Sequence, residues 1–220
     1  KIGDLPGGEI RSKANAVSAD GSVIVGWSTS GSGRSEAFRW TAGGGMVGLG
    51  DIPDGQFQSN ALGVSADGSV VVGLGRGPLF STEAFRWTAA TGMVTLGHLP
   101  GGSNRTVAWG VSDDGSVVVG AASSAASQAG DEAFRWSSSS GIVGLGDLPG
   151  GFFSSSAQDA SGDGSVVVGF SDTDNANEAF VWTQADGMKR LIDVLVANGA
   201  TGLDGWLLTD AMAVSANGKW

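Results

Sequence analysis

Val64-Ser65-Ala66-Asp67-Gly68-Ser69-Val70-Val71-Val72-Gly73 is the stretch on which the reading of this chain turns. Two apolar runs flank an Asp-Gly pair, and glycine supplies without steric cost the positive φ that a tight reversal between strands needs. The pattern predicts two antiparallel strands joined at Asp67-Gly68. It recurs at Val17 to Gly26, Val111 to Gly120 and Ala160 to Gly169, and in shortened form at Val214 to Trp220. The corresponding turns are Asp20-Gly21, Asp114-Gly115, Asp163-Gly164 and Asn217-Gly218.

Successive turns lie 47, 47, 49 and 54 residues apart. A second motif keeps the same beat: Glu36-Ala37-Phe38-Arg39-Trp40 returns at Glu83 to Trp87, at Glu132 to Trp136 and, with valine for arginine, at Glu178 to Trp182. A third, Gly-Leu-Gly-Asp-Leu-Pro-Gly-Gly at Gly144 to Gly151, is matched at Ile2 to Gly8, Gly48 to Gly55 and Leu96 to Gly102. Each unit reads as strand a, the Asp-Gly turn, strand b, a loop, strand c carrying Ala-Phe-Arg-Trp, a Gly-rich turn and strand d. Four short strands in about 47 residues are the signature of a propeller blade. The expectation is an all-β propeller in one domain, with units 1–47, 48–94, 95–143, 144–189 and a partial 190–220, making five blades if the two ends complete one. Both parities of Val70-Val71-Val72 are apolar, as suits a strand covered on both faces by neighbouring blades.

The last unit departs. Met188, Leu191, Ile192, Leu195 and Val196 fall at helical spacing ahead of Gly199, predicting a short helix that covers an edge.

Composition narrows the function. A formal net charge of −10, with 12 basic residues scattered over the repeats, argues against a nucleic-acid partner. With no cysteine there are no disulfides and no thiolate chemistry. The apolar stretch around Leu191 to Ala197 is too short to span a bilayer. Opening on Lys1 in mid-motif, the chain reads as a processed or trimmed segment.

Alternating strand direction puts the a–b and c–d turns at one end of the sheets and the b–c and d–a connections at the other. The a–b turns are nearly identical, whereas the other connections vary, and variable loops on a repeated scaffold are where binding resides. The candidate ligand-binding residues are therefore Arg11, Lys13, Arg34, Gln56, Gln58, Arg76, Phe80, Asn104, Arg105, Phe152 and Phe153. Asp172, Asp174 and Asn175 form an oxygen-rich loop that could ligate Ca²⁺, the one cofactor considered, although it lacks the glycine of an EF-hand.

The Phe and Trp of Ala-Phe-Arg-Trp share a strand face and are expected to pack between blades, not to stack on sugars. The recurrent Glu reads as a hydrogen-bonding group at a strand edge or between blades. His98 stands where other units have Asp4, Asp51 and Asp147; as the only histidine, unaccompanied by a nucleophile turn, it gives no catalytic triad.

Together, Val-Ser-Ala-Asp-Gly-Ser, Ala-Phe-Arg-Trp and Leu-Gly-Asp-Leu-Pro-Gly-Gly resemble the HAF-repeat family, bacterial extracellular proteins named for a His-Ala-Phe motif, over essentially the whole chain. Glu36, Glu83, Glu132 and Glu178 stand where the family name has His. The resemblance implies export, by a sorting anchor or as an autotransporter passenger, and carries no established reaction. The expected role is a secreted or surface-exposed binding or adhesion module for a glycan or other surface ligand. An extracellular hydrolase with a central-channel site, or a purely structural passenger, are the alternatives.

Overall fold

The computed structural model describes residues 2–102, 105–127 and 130–219. Among them, sixteen strands form four four-stranded antiparallel sheets, each in chain order. The first holds β1 (Ser12–Val17), β2 (Val23–Thr29), β3 (Ser35–Thr41) and β4 (Gly45–Gly48); the second β5 (Ser59–Val64), β6 (Val70–Arg76), β7 (Thr82–Thr88) and β8 (Gly92–Thr95). The third holds β9 (Thr106–Val111), β10 (Val117–Ala122), β11 (Glu132–Ser137) and β12 (Gly141–Gly144); the fourth β13 (Ser155–Ala160), β14 (Val166–Asp172), β15 (Asn177–Thr183) and β16 (Gly187–Arg190).

The a–b hairpin forms as expected, but its turn is centred one residue earlier than the Asp-Gly pair. Gly68 N–H donates to Ser65 C=O at 2.9 Å, so Ala66 and Asp67 are the central residues and the positive φ, 71°, falls on Gly68. Side chains explain the longer loop. Ser65 Oγ accepts Val70 N–H at 3.0 Å and donates to Asp67 Oδ1 at 2.7 Å, while Asp67 Oδ1 also accepts Ser69 N–H at 2.9 Å. Ser18-Asp20, Ser112-Asp114 and Ser161-Asp163 repeat this network.

The turns also join one another. Ala19 N–H donates to Ala66 C=O, Ala66 N–H to Asp113 C=O, and Asp114 N–H to Gly162 C=O. Arg39, Arg86 and Arg135 add a second tie, each donating from its guanidinium to the turn carbonyl of the following sheet, Gly68, Gly115 and Gly164 respectively. The conserved-looking arginine of the Ala-Phe-Arg-Trp motif is thus an inter-sheet strut.

Packing follows the same order. One apolar cluster joins Val23, Val25 and Ala37 of the first sheet to Ala61, Val71 and Phe85 of the second. Two more join the second to the third through Val70, Val72 and Phe134, and the third to the fourth through Val117, Val119 and Phe180. Phe38, Phe85, Phe134 and Phe180 are fully buried, and Trp87 and Trp136 pack on the clusters, which makes these aromatics core. The glycine ending Val-Val-Val-Gly has a local cause. The innermost strand of each sheet carries a bulge, at Leu62 in the second, that tips a carbonyl over it; a Cβ on Gly73 would lie 2.0 Å from Asn60 O.

A short helix, α1 (Leu191–Ala197), follows the fourth sheet and packs on β15 and β16. It begins later than the helical spacing suggested: Met188 lies in β16, paired with Trp182, and joins the third core cluster. The expected stop is present, with Gly199 at φ 90° and Ala200 N–H donating to Leu195 C=O. Residues 2–5 form no strand, although Leu5 is buried and donates its N–H to Ser28 Oγ at 2.9 Å. Ser215 to Lys219 reproduces the turn network through Asn217, and Gly162 N–H donates to Ala216 C=O.

Candidate functional site

The b–c and d–a connections meet at one end of the sheets, as strand direction requires. Arg11, Gln58, Arg105 and Ser154 occupy equivalent positions ahead of the innermost strands. Each offers its C=O to the neighbouring strand or its exit: to Thr29, Arg76, Ser123 and Asp172 N–H respectively, at 2.8 to 3.0 Å. In the second sheet Gln56 N–H also donates to Arg76 C=O at 2.8 Å. The two variable loops of each unit are therefore one surface.

That surface differs in chemistry from its opposite. Its loop tips carry Ile10, Phe57, Leu79, Phe80 and Phe152, exposed by 41 to 91%. The a–b and c–d turns of the four sheets carry Ser, Thr, Ala, Gly, Asp and Gln, with exposed valines, Val17, Val47, Val94 and Val143, on the strands beside them. Backbone strain sits on the same side: the non-glycine residues at positive φ among those described are Asp54, Phe57, Leu79 and Phe80, all in two adjoining loops of the second unit.

Two of the predicted cations stand on rings. The Arg11 guanidinium lies 5.4 Å from the centroid of Trp27, and that of Arg76 lies 5.2 Å from that of Phe80. Lys13 is exposed on β1, directly opposite Trp27 in the register, and Arg34 is exposed at the tip of the first b–c loop. Arg105 is instead committed to an ion pair with Asp131. Gln56 is half-buried beside Phe57. Asn104 lies outside the described residues.

Three concavities open among these loops. A groove of about 480 Å³ between the first and second sheets is lined by Glu9, Arg11, Trp27, Ser35, Gln58 and Asn60. A second, about 680 Å³, is lined by Ser127, Phe152, Phe153, Ser154, Asp172 and Asn177 between the third and fourth. The third, about 370 Å³, reaches inward from Arg105 and Asp131 to Trp109 of β9, Gln158 of β13 and Met212 of the segment after α1. Phe152 and Phe153 thus meet across from Asp172, and Arg11 meets Gln58, but no single cavity gathers every predicted residue. Sequence reasoning missed Trp27, which occupies the first position after the strand-b glycine; Leu74, Ala121 and Phe170 stand there in the other units, so its being the sole Trp at that place was a usable signal.

The oxygen-rich loop is turned to another task. Asp172 Oδ2 accepts Phe152 N–H at 3.0 Å and Asp174 Oδ1 accepts Gly151 N–H at 2.9 Å, while Asn175 Nδ2 reaches Glu178 Oε1 at 3.4 Å. The two carboxylates fasten the adjacent d–a loop, and the described residues hold no cluster of three His, Cys, Asp or Glu able to grip a metal ion.

Two of the four recurrent glutamates are capping groups, while Glu83 accepts the Ser81 hydroxyl at 2.9 Å. Glu36 Oε1 accepts Gly50 N–H at 3.1 Å and Glu132 Oε1 accepts Gly146 N–H at 3.2 Å, each passing over a glycine, Gly48 or Gly144, where a Cβ would lie 2.1 Å from the carboxylate. In the fourth unit Arg190 takes that place and pairs with Glu178. Asp51 and Asp147, beneath the d–a turns, have their pKa values raised chiefly by burial, with the charges of Glu36 and Glu132 adding. His98 bonds Thr106 Oγ1 at 3.0 Å and lies 3.8 Å from Glu83. The composition resembles a hydrolytic triad, but Thr106 is fully buried and donates to Gly97 C=O, so its hydroxyl is a structural group.

Comparison with known proteins bears on the fold. No protein-family profile matches the chain, and no curated protein matches it in sequence. Among solved structures it is similar to a putative TolB from Agrobacterium tumefaciens, with a TM-score of 0.56 and 17% identity over 80% of this chain and 62% of that one. TolB from Acinetobacter baumannii gives a TM-score of 0.58 and 13% identity over 82% of this chain and 43% of that one. A structure from an analysis of two prolyl endopeptidases and their inter-domain dynamics gives 0.52 and 13% over 82% and 28%. The chain thus spans less than two thirds of each of these proteins. Its all-β sheets are of the β-propeller kind that TolB-like proteins share.

Proposed function

We propose that this chain is a binding or adhesion module of a secreted or surface-exposed bacterial propeller, built from HAF-type repeats, that holds its ligand on the face formed by the b–c and d–a loops. The observation that carries this reading is the contrast between the two ends of the sheets. Ile10, Phe57, Leu79, Phe80 and Phe152, three of them aromatic, are exposed at one end, where grooves open between neighbouring sheets; at the other end the turns themselves are polar, and the exposed apolar groups are the smaller Val17, Val47, Val94 and Val143 on the adjoining strands, with one cavity between the last c–d turn and α1. Exposed apolar side chains gathered on one face mark an interaction surface. The buried Thr106 hydroxyl, the backbone caps made by Glu36 and Glu132 and the pairing of Glu178 with Arg190 commit these groups to structure, which favours binding over hydrolysis.

The test is a glycan-array and bacterial- or host-surface binding screen of the parent chain, of a Phe80→Ser/Phe152→Ser double variant and of an Ala42→Lys/Ala89→Lys variant on the opposite turns. The loop variant should lose binding while the turn variant keeps it. Equal binding by both, or turnover of polysaccharide or ester substrates with no binding hit, overturns the proposal.

A further inference from the structure

Resting on the loop-face reading, we infer that the groove between the first and second sheets is a site for a carboxylated glycan, a sugar chain bearing uronic-acid groups. The argument begins with the cations. Arg39, Arg86 and Arg135 are tied to turn carbonyls. Arg105 pairs with Asp131, Lys189 with Asp186, and Arg190 with Glu178 and Asp193. Among the described residues this leaves Lys219 at the opposite, turn-bearing end, and Arg11, Lys13, Arg34 and Arg76, none of which has a carboxylate within ion-pairing distance.

Arg11 lines one groove and the other three flank it: Arg34 lies between the lining residues Gly33 and Ser35, Lys13 faces the lining Trp27 across the strand pair, and Arg76 donates its N–H to the C=O of the lining Gln58 while its guanidinium stands on Phe80 at the groove's margin. On a chain of net charge −10, four unanswered positive charges at one concavity raise the local concentration of anions.

The lining narrows the class of anion. Arg11 is held over Trp27, which leaves its guanidinium fork free for the two oxygens of a carboxylate. Asn60 Oδ1 accepts Asn15 Nδ2, leaving the Asn60 amide N–H groups without a partner among the described residues, beside Gln58 and Ser35. Neutral donors and acceptors of this kind suit sugar hydroxyls, and the indole offers an apolar body for a pyranose face. Glu9 is the one carboxylate in the lining and opposes an anionic ligand.

The experiment is calorimetric titration with hexagalacturonate, with its fully methyl-esterified form, and with a carrageenan-derived hexasaccharide, which carries sulfates and no uronic acid. The parent chain should bind hexagalacturonate at least about tenfold more tightly than the ester, and Arg11→Ala should erase that margin, the loss expected for one charge-assisted contact. Glu9→Gln should tighten binding, and added salt should weaken it. Arg34→Ala, at an exposed loop tip, repeats the test should Arg11→Ala perturb folding. Equal affinity for acid and ester, an unchanged margin in both arginine variants, or equal affinity for the sulfated sugar overturns the inference. Because the surface-binding screen uses Phe80 and Phe152, which do not line this groove, that wider reading can stand when this one falls.

Discussion

A repeated glycine can be read by comparing its copies. Gly21, Gly68, Gly115 and Gly164 all adopt positive φ, between 67° and 74°. A Cβ at Gly21 would meet nothing within 4 Å, whereas one at Gly68 would lie 2.4 Å from Val23 Cγ2. The difference is the neighbouring sheet: among the described residues Val23 of the first sheet abuts the second turn and nothing abuts the first. Gly21→Val therefore bears only the backbone penalty of a left-handed L-residue, about 1–2 kcal/mol. Gly68→Val adds displacement of a buried valine, roughly 1–3 kcal/mol more. Thermal melts of the two variants should rank Gly68→Val clearly lower; equal melting temperatures would mean that the turns are not packed on their neighbours.

At the scale of the hairpin, the Ser-Asp pair sets a pH dependence. Asp20 is held down to about 2 from 3.8, first by Ser22 N–H and then by the Ser22 and Ser18 hydroxyls; Asp163 is likewise held at about 2, first by the Ser165 hydroxyl and then by its N–H. A carboxyl whose folded pKa is lowered contributes stability above its unfolded pKa, and that contribution is lost as pH falls from about 4 through about 2. Asp51, Asp147 and Asp159, raised mainly by burial, act with the opposite sign. Their effect cancels when a turn variant is compared with its parent. The fifth turn supplies the variant, since Asn217 Oδ1 accepts the same two bonds, from Ser215 Oγ and Lys219 N–H, without a charge. Asp20→Asn/Asp163→Asn should melt below the parent at pH 6 and together with it near pH 2, and a gap independent of pH would refute the assignment.

These hairpins, the b–c and d–a end and α1 were legible in the sequence because each follows from a period or a turn signal. The turn centre was not, because Ser65 Oγ competes for Val70 N–H and lengthens the loop. Nor was the commitment of Asp172 and Asp174 to the Gly151 and Phe152 N–H groups, since that contact joins two loops separated along the chain by a whole hairpin, beyond the reach of a turn signal. Of the site, Arg11, Gln58, Phe152 and Phe153 were readable as loop residues, but their division between two grooves depends on which sheets face one another.

At the scale of the molecule, stability should be graded along the chain. Among the described residues, extensive packing runs from the first sheet to the second, the second to the third and the third to the fourth, so each middle sheet is held from both sides and the first from one. The positions show it directly. Val111 and Ala160 are buried against a preceding sheet, at 8 and 6% exposure, whereas their counterpart Val17 is 56% exposed. Ile24 is half-buried where its counterparts Val71, Val118 and Val167 are fully buried. Beyond α1, residues 201–219 are mostly exposed and rest on the fourth sheet through a few bonds, such as Ala179 N–H to Leu208 C=O and Val214 N–H to Asp159 Oδ2. In repeat architectures where units contact only their neighbours, end units open at lower free energy than middle ones. Native-state hydrogen exchange should therefore find the slowest amides in β6 and β10, faster exchange in β2 and β3, and the fastest after Gly199. Equal protection of β2 and β6 would show instead that the sheets unfold as one cooperative body, and that the exposed face of the first sheet costs the fold nothing.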